Sequence, residues 1–244
     1  MVKRRFYKKV SVRKKPFYDN AVDNTISRLT DPNWIIKLDD RELRSPSGEP
    51  LVLPTRKLAH SIADEWEKQD KHIDPNSMPL FGISVTILDR VIPQRLALVD
   101  QLVSYGGNDL LCYCSDQKEL AQRQQAFWSP WLKWIKKRFG IHLKQVNGVM
   151  PVEQPEAKRF ALLIKKYNDW ELGVLYRVVT LSGSLVLGLA FLEKEIDSPT
   201  LFSYAFLDEL WQNEQWGTDP DANGRQEKLS YEFNKLEEFL SLIK

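Results

Sequence analysis

Cysteine and histidine are scarce in this chain of 244 residues, which contains two cysteines and three histidines. The histidines, His60, His72 and His142, lie far apart, and none has a metal-binding spacing such as H-x-x-x-H. Cys112 and Cys114 are one residue apart, a separation at which a strand places both side chains on the same face. We therefore expect no metal site, no structural disulfide, and two buried thiols in a reducing compartment.

Long hydrophobic runs and a strong net charge are also absent. The longest apolar run, 178–192, has 15 residues, whereas a helix needs about 20 residues to cross a bilayer. This run predicts a buried helix, and we expect no membrane insertion. The 35 basic and 33 acidic residues leave a net charge of only +2, so no global field points to nucleic acid or to an anionic membrane.

Recognisable catalytic and cofactor motifs are absent as well, since no serine lies in a G-x-S-x-G motif. Gly183 and Gly188 have the spacing of the glycines in a phosphate-binding loop, but apolar residues follow where that loop needs a lysine and a hydroxyl. Residues 219–224 reproduce the first half of a calcium-binding loop, but Ser230 stands where its bidentate glutamate belongs. No motif in the sequence therefore predicts a catalytic residue, a cofactor or a metal, although a catalytic set can still be assembled across a fold.

The beginning of the chain alternates apolar and polar residues in short segments separated by turns. Phe6, Val10 and Val12 fall at even spacing in a basic segment, which predicts an edge strand. The segments WIIKLD and ELRSPSGEPLVLP predict further strands, with a Pro-Ser-Gly turn at 46–48. The polar stretch 15–33 is interpreted as a long loop. These patterns predict a small antiparallel sheet.

One helix should follow this sheet, and a longer helical region should follow that helix. Thr55 is placed to cap a helix whose apolar residues recur at every fourth position. The proline-rich segment HIDPNSMPL is the predicted domain boundary, close to residue 78. The predicted fold class is therefore α+β, with an antiparallel β-rich domain at 1–77 and a mainly α-helical domain at 78–244.

Helical patterns cover most of the second predicted domain. We expect helices that begin near Pro93 and that span about 118–139, 156–167, 169–194, 199–216 and 221–243. The second of these carries four aromatic residues at spacings typical of a buried stripe: Phe127, Trp128, Trp131 and Trp134. We interpret them as core residues, and we expect Pro130 to kink or restart the helix.

The segment LDELWQNEQWGTD, residues 207–219, combines tryptophans, side-chain amides and carboxylates. On the predicted helix 199–216 the carboxylates lie near the C-terminal end, where the helix dipole disfavours negative charge. Rigid aromatic area beside directional polar groups is typical of a partner-binding surface. The alternative is an ordinary amphipathic helix with its tryptophans in the core. Our candidate partner-binding residues are Asp208, Glu209, Trp211, Gln212, Glu214 and Trp216.

Ordered matches along nearly the whole chain give a family resemblance. They are RFYKKVSV, LDDRELRSPSGEPLVLPTRKLA, IADEWEKQ, IDPNSMPL, NDLLCYCSD, GVMPVEQP, LSGSLVLGLA and DELWQNEQWG. With these segments the chain resembles the chaperones that assemble the catalytic head of the F-type ATP synthase by acting on its alpha subunit (ATP12-like chaperones). The resemblance implies a β-rich domain followed by a helical one, and a function without a chemical step or a nucleotide.

The resemblance also implies a partner and a mode of action. Such a chaperone captures unassembled alpha subunit and prevents its aggregation until a beta subunit replaces the chaperone. The acidic positions that matter in the family fall on Glu209 and Glu214. An unassembled subunit exposes apolar and basic groups, which aromatic and acidic groups can cover reversibly. We expect a monomer in a bacterial cytoplasm, or in the mitochondrial matrix if the chain is a processed organelle protein.

Two other functions stay open at this point. An enzyme of unrecognised type could use acidic residues across a cleft, and it would gain support if the fold brought Glu209 or Glu214 within hydrogen-bond reach of a histidine in a deep pocket. A nucleic-acid-binding module could combine the basic stretch 3–15 with the aromatic residues of 128–134, and its binding would depend steeply on salt. Our prediction for the partners is the alpha subunit, with no nucleic acid.

Overall fold

A computed structural model describes residues 4–15, 33–148, 150–217 and 220–244 of the chain, with the backbone alone at 220–222. Its internal contacts divide the chain into two compact units, Met1–Pro93 with Glu238–Lys244, and Gln94–Glu237. The first unit contains a small antiparallel sheet, and the second is mainly helical. The predicted α+β class is therefore confirmed. Most of the predicted loop 15–33 and part of the calcium-like segment 219–224 lie outside the described residues.

The sheet of the first unit has four short strands. They are β1 (Val10–Lys14), β2 (Trp34–Leu38), β3 (Arg41–Glu42) and β4 (Val52–Leu53). The central strand β2 pairs antiparallel with each of the other three. Within the part of the chain that the structure describes, β1 pairs with β2 alone, so it lies at the edge of the sheet as predicted.

The segment before β1 differs from the predicted strand that began at Phe6. Phe6 is 61% exposed, and the neighbouring Tyr7 is buried instead. The Tyr7 hydroxyl donates a hydrogen bond of 2.6 Å to the backbone carbonyl of Trp66. Tyr7 therefore satisfies its one polar group where it enters the core, which the even spacing of apolar residues could not indicate.

Helix α1 (Arg56–Glu67) forms as predicted, with Thr55 as its N-cap. The Thr55 hydroxyl oxygen accepts a hydrogen bond of 3.1 Å from the backbone N–H of Leu58. The same hydroxyl donates a hydrogen bond of 2.5 Å to the backbone carbonyl of Leu242, which holds this part of the chain on the first unit. The buried face of α1 packs on β1 and β2.

The predicted boundary at residue 78 differs from the grouping of contacts, which places 78–93 in the first unit. Pro79 begins helix α2 (Pro79–Thr86), because a proline lacks only an N–H that the first turn leaves unpaired anyway. The Glu65 carboxylate of α1 accepts hydrogen bonds of 2.8 Å from the backbone N–H groups of Leu80 and Phe81. This contact holds the start of α2 on α1.

The second unit contains most of the helices and a two-stranded parallel pairing of β5 (Tyr113–Cys114) with β6 (Val146–Asn147). Its helices are α3 (Arg95–Gly107), α4 (Lys118–Phe139), α5 (Phe160–Ile164), α6 (Asp169–Ser182), α7 (Leu185–Leu192), α8 (Ser198–Ala205) and α9 (Leu207–Trp216). The final helix α10 (Pro220–Ile243) contributes its last residues to the first unit. None of the described helices is long and apolar enough to cross a membrane.

Helix α4 has the predicted bounds, but it continues through Pro130 without a restart.

Cys112 and Cys114 are both buried and not bonded to each other, as expected of ordinary thiols. Burial raises the pKa of both thiols, so they remain protonated near neutral pH.

Two predicted long helices are each divided in two. The predicted helix 169–194 breaks between α6 and α7, where Gly183 takes a left-handed conformation with φ of +74°. Ser184 then caps α7 by accepting a hydrogen bond from the backbone N–H of Leu187. A methyl group on Gly188 would lie 2.6 Å from the Val179 side chain, so α7 folds back closely on α6. The predicted helix 199–216 breaks at Phe206, between α8 and α9, without a glycine and without a side-chain cap on α9.

Helix α7 lies at the centre of the second unit, and all eight of its residues are buried. Its first N–H groups cannot reach water, so they need an acceptor inside the protein. Asp109 supplies it, accepting hydrogen bonds from the Ser184 hydroxyl at 2.7 Å and from the Val186 N–H at 3.0 Å. Burial raises the pKa of this fully buried carboxyl to about 6, although its donors favour the charged form.

The variant Asp109→Asn should lower the free energy of unfolding by about 1–3 kcal/mol, because an amide turns one acceptor oxygen into a donor facing N–H groups. The folded-state pKa of about 6 exceeds the ordinary value of 3.8, so protonation favours the folded state. That contribution is fully present below about pH 4 and is lost as the pH rises through about 6. The difference in free energy of unfolding between wild type and Asp109→Asn, measured by urea denaturation, should therefore narrow as the pH rises from about 4 through about 6. A difference that is constant with pH would contradict the assignment.

Candidate functional site

Helix α9 carries all six candidate partner-binding residues, but it begins at Leu207 and is not the end of a longer helix. Asp208 and Glu209 consequently lie in its first turn. The helix dipole is positive there and favours carboxylates. The prediction that these two acidic residues oppose the helix dipole was wrong. It assumed one continuous helix, because the break at Phe206 is not visible in the apolar periodicity.

One face of α9 anchors it to the rest of the second unit. Leu207 and Trp211, one turn apart, are both buried, and Trp211 is only 6% exposed. Trp216 is 74% exposed, and its ring meets the Trp211 ring edge-on with 5.8 Å between centroids. The two tryptophans therefore differ: Trp211 is a core residue that positions the helix, and Trp216 is available to a partner.

The Glu214 carboxylate binds an arginine from α4. Arg123 donates hydrogen bonds of 2.5 and 2.8 Å to the two carboxylate oxygens, so the ion pair is bidentate. These hydrogen bonds hold the pKa of the Glu214 carboxyl below its ordinary value. Both side chains remain substantially exposed, at 38% for Arg123 and 51% for Glu214.

The Glu209 carboxylate binds a second arginine in a similar way. Arg225 on α10 donates from one nitrogen to both Glu209 oxygens, at 2.6 and 2.7 Å. Asp208 is half-buried and accepts a hydrogen bond of 2.6 Å from the Gln124 amide. Burial raises the pKa of the Asp208 carboxyl. Gln212, the remaining candidate, is exposed.

A groove of about 390 Å³ lies beside this helix, formed by residues of α4, α8, α9 and α10. Its lining includes Phe127, Tyr204, Leu207 and Leu210, which give it a largely apolar character, together with the Arg123–Glu214 pair. The candidate acidic residue Glu214 therefore faces a concave apolar surface. Such a combination can hold a protein segment that presents an apolar side chain next to a cation.

Sequence reasoning assigned Phe127 to the core and did not identify Tyr204, although both residues line this groove. Phe127 is 40% exposed, and its ring lies 5.5 Å from the Tyr204 ring. The Tyr204 ring is in turn 6.2 Å from Trp131, which lies 6.0 Å from Trp134. These rings form a row along α4 and α8 in which Phe127 is exposed and the other three are half-buried.

The core interpretation of the α4 aromatic residues is correct for Trp128, which is 1% exposed, and wrong for Phe127, while Trp131 and Trp134 are half-buried. The buried row of α4 runs through Leu120, Gln124, Trp128 and Ile135, and the other three aromatic residues flank it. An offset of one residue on a helix turns the side chain by about 100°. That offset from the buried row was the signal that could have identified Phe127 as a surface residue.

The alternative of an enzyme would have gained support from a histidine beside the acidic residues. The structure shows Glu209 and Glu214 paired with arginines instead. In the described ranges, no group of three or more His, Cys, Asp or Glu side chains could hold a metal ion. The alternative of a nucleic-acid-binding module combined residues that belong to different units, with the basic stretch in the first and the aromatic residues in the second.

A second concave surface of about 990 Å³ lies elsewhere in the second unit and is more open. Three tyrosines line it, Tyr105, Tyr113 and Tyr176, together with polar side chains such as Gln101 and Asn108. It shares no lining residue with the groove beside α9. It therefore provides an internal comparison for experiments on that groove.

Solved structures with the same fold identify the class of protein as a chaperone. Atp12 from Paracoccus denitrificans is 34% identical with a TM-score of 0.88, over 99% of this chain and 98% of that chain. A mutant of the same P. denitrificans protein gives 33% identity, the same TM-score and the same coverage. A structure described as a putative chaperone from Agrobacterium tumefaciens is 32% identical with a TM-score of 0.86, over 100% of this chain and 87% of that one.

Sequence comparison then gives the family. Residues 4–136 match the family model described as ATP12 chaperone protein, so the chain belongs to the ATP12 chaperone family. A relative from Schizosaccharomyces pombe, called protein atp12, mitochondrial, is 23% identical over 223 residues. That alignment covers 85% of this chain and 77% of the relative. The family resemblance seen in the sequence motifs is confirmed.

The two faces of α9 should respond differently to mutation. Glu214→Gln should shift the melting temperature by no more than about 2 °C, because an exposed ion pair contributes little to stability. Trp211→Ala should lower the free energy of unfolding by about 3–5 kcal/mol, because it empties a buried site. Thermal denaturation followed by circular dichroism measures both. If Glu214→Gln cost as much as Trp211→Ala, the Arg123–Glu214 pair would be part of the structural core.

Proposed function

We propose that this chain is an assembly chaperone for the catalytic head of the F-type ATP synthase. In this proposal it binds the unassembled alpha subunit and prevents its aggregation until a beta subunit takes its place. Membership of the ATP12 chaperone family supports the general role. The observation that carries the proposal is the exposed aromatic and acidic face of α9 beside an apolar groove.

The physical character of this face suits temporary cover of a subunit interface. An unassembled subunit exposes apolar surface that would otherwise lead to aggregation. The exposed Trp216 ring and the apolar lining of the groove can cover such surface. The carboxylates of Glu209 and Glu214 attract basic groups and favour one orientation of the partner. No step of this function needs a bound nucleotide, a metal or a chemical reaction.

The six candidate residues take two roles in the proposal. Glu209, Gln212, Glu214 and Trp216 are the proposed contacts with the alpha subunit, since each has an exposed or partly exposed side chain. Trp211 and Asp208 position α9, because Trp211 is buried and Asp208 accepts the hydrogen bond from Gln124.

The relatives support two settings for this function. One is described as mitochondrial, and others come from the bacteria Paracoccus and Agrobacterium. We propose that the chain works as a monomer in a bacterial cytoplasm, or in the mitochondrial matrix if it is an organelle protein.

Charge reversal at Glu209 tests the proposed function. Purified alpha subunit is diluted from urea, and its aggregation is followed by light scattering with and without the chaperone. The wild-type chain should suppress aggregation at about equimolar concentration, and Glu209→Lys should lose most of this effect, because it places a cation beside Arg225 where the partner's basic groups would approach.

The matched control is Glu49→Lys, a charge reversal at an exposed residue of the first unit. It makes the same change in net charge and should suppress aggregation as the wild type does. If Glu209→Lys retained full suppression, the assignment of the site would be wrong. If the wild-type chain did not protect the alpha subunit at all, the proposed partner would be wrong.

A further inference from the structure

The groove beside α9 has an arginine of the same chain at its edge. Arg123 and Glu214 both line the groove, and the Arg123 guanidinium donates to both oxygens of the Glu214 carboxylate. The carboxylate proposed to contact the alpha subunit is therefore occupied in the free chain. A partner can use it only by coordinating the same oxygens or by displacing Arg123.

The geometry of this pair indicates which cation fits the carboxylate. Two parallel N–H donors at 2.5 and 2.8 Å match the planar fork of a guanidinium group. A lysine ammonium is a compact point charge without that fork. The Glu214 carboxylate is thus oriented by the fold to hold an arginine.

Displacement of Arg123 should cost little free energy. The side chains of Arg123 and Glu214 are both exposed by more than a third, so water can solvate either one when they separate. Exposed ion pairs contribute little to stability, since their attraction is screened and two long side chains lose freedom. A partner arginine forms an equivalent pair, and apolar burial in the groove adds a driving force that Arg123 does not supply.

We propose that Arg123 occupies, in the free chaperone, the position on the Glu214 carboxylate that an arginine of the client takes in the complex. This inference rests on the proposed function. In the free chaperone Arg123 neutralises Glu214 at the edge of the groove. When an alpha subunit binds, an arginine of a client segment takes the Glu214 carboxylate, and a neighbouring apolar side chain of that segment enters the groove against Phe127 and Leu210. Arg123 returns to Glu214 when the client leaves, so the site closes again without exposing an unpaired carboxylate.

The test measures binding of purified alpha subunit to immobilised chaperone by biolayer interferometry. Arg123→Gln removes the internal competitor and keeps Glu214, so it should tighten binding by about threefold, the factor expected from losing an exposed ion pair. Glu214→Gln should weaken binding by about fivefold or more. The double variant should bind like Glu214→Gln, because Arg123 matters only when the carboxylate is present.

The matched control is Arg177→Gln, which breaks another exposed ion pair of the same unit, with Glu232 at 2.5 Å. Neither Arg177 nor Glu232 lines the groove, so this variant should bind the alpha subunit as the wild type does. The proposed displacement of Arg123 by a client arginine is contradicted if Arg123→Gln leaves binding unchanged or weakens it, while the wild type still binds. If the wild type does not bind the alpha subunit, the proposed function itself is contradicted. Failure of the proposed function can therefore be distinguished from failure of the Arg123 proposal.

Chemical modification of the client tests the identity of the displaced cation. Alpha subunit treated with phenylglyoxal, which blocks guanidinium groups, should bind wild type and Arg123→Gln equally weakly. Alpha subunit with acetylated lysines should still bind Arg123→Gln about threefold more tightly than the wild type. If acetylation instead removed this difference and phenylglyoxal did not, the arginine assignment would be overturned.

Discussion

The second unit depends on hydrogen bonds to the first backbone N–H groups of a helix that has no access to water. Every residue of α7 is buried, so its first N–H groups would remain unpaired without Asp109 and Ser184. Helices α3, α4, α6 and α8 all pack against α7. Two of these, α4 and α8, in turn hold α9 and carry the aromatic residues of the groove. The proposed binding surface therefore depends on a buried polar contact that lies outside it.

The surface itself separates permanent contacts from exchangeable ones. Leu207 and Trp211 fix α9 through burial, which is expensive to undo. The contacts of Glu209 and Glu214 with arginines are exposed ion pairs, which are easily broken and re-formed. A chaperone must release its client to the assembling complex, so affinity should come from many reversible contacts. In the proposed function, α9 meets this requirement because its anchoring side chains are buried and its ion pairs are exposed.

Local signals in the sequence predicted the elements whose causes are local. The Thr55 cap of α1 and the bounds of α4 were visible because caps, glycines and apolar spacing act within a few residues. The break at Gly183 was missed because α7 is apolar on all sides and the apolar run continues across the break. The break at Phe206 was missed because apolar residues continue from α8 into α9. The groove was missed for a different reason: Phe127 and Tyr204 are distant in sequence and meet only through tertiary packing. The six candidate residues were found on one helix, but only the structure separated the buried Trp211 from the exposed Trp216.

We propose that the face of α9 and the adjoining groove contact the alpha subunit. Hydrogen–deuterium exchange with mass spectrometry, on the chain alone and with bound alpha subunit, can detect this contact. We expect slower exchange at 203–216 and 123–134 in the complex, and unchanged exchange around the tyrosine-lined concavity at Tyr105, Tyr113 and Tyr176. Protection confined to that concavity, or absent from 203–216, would contradict it.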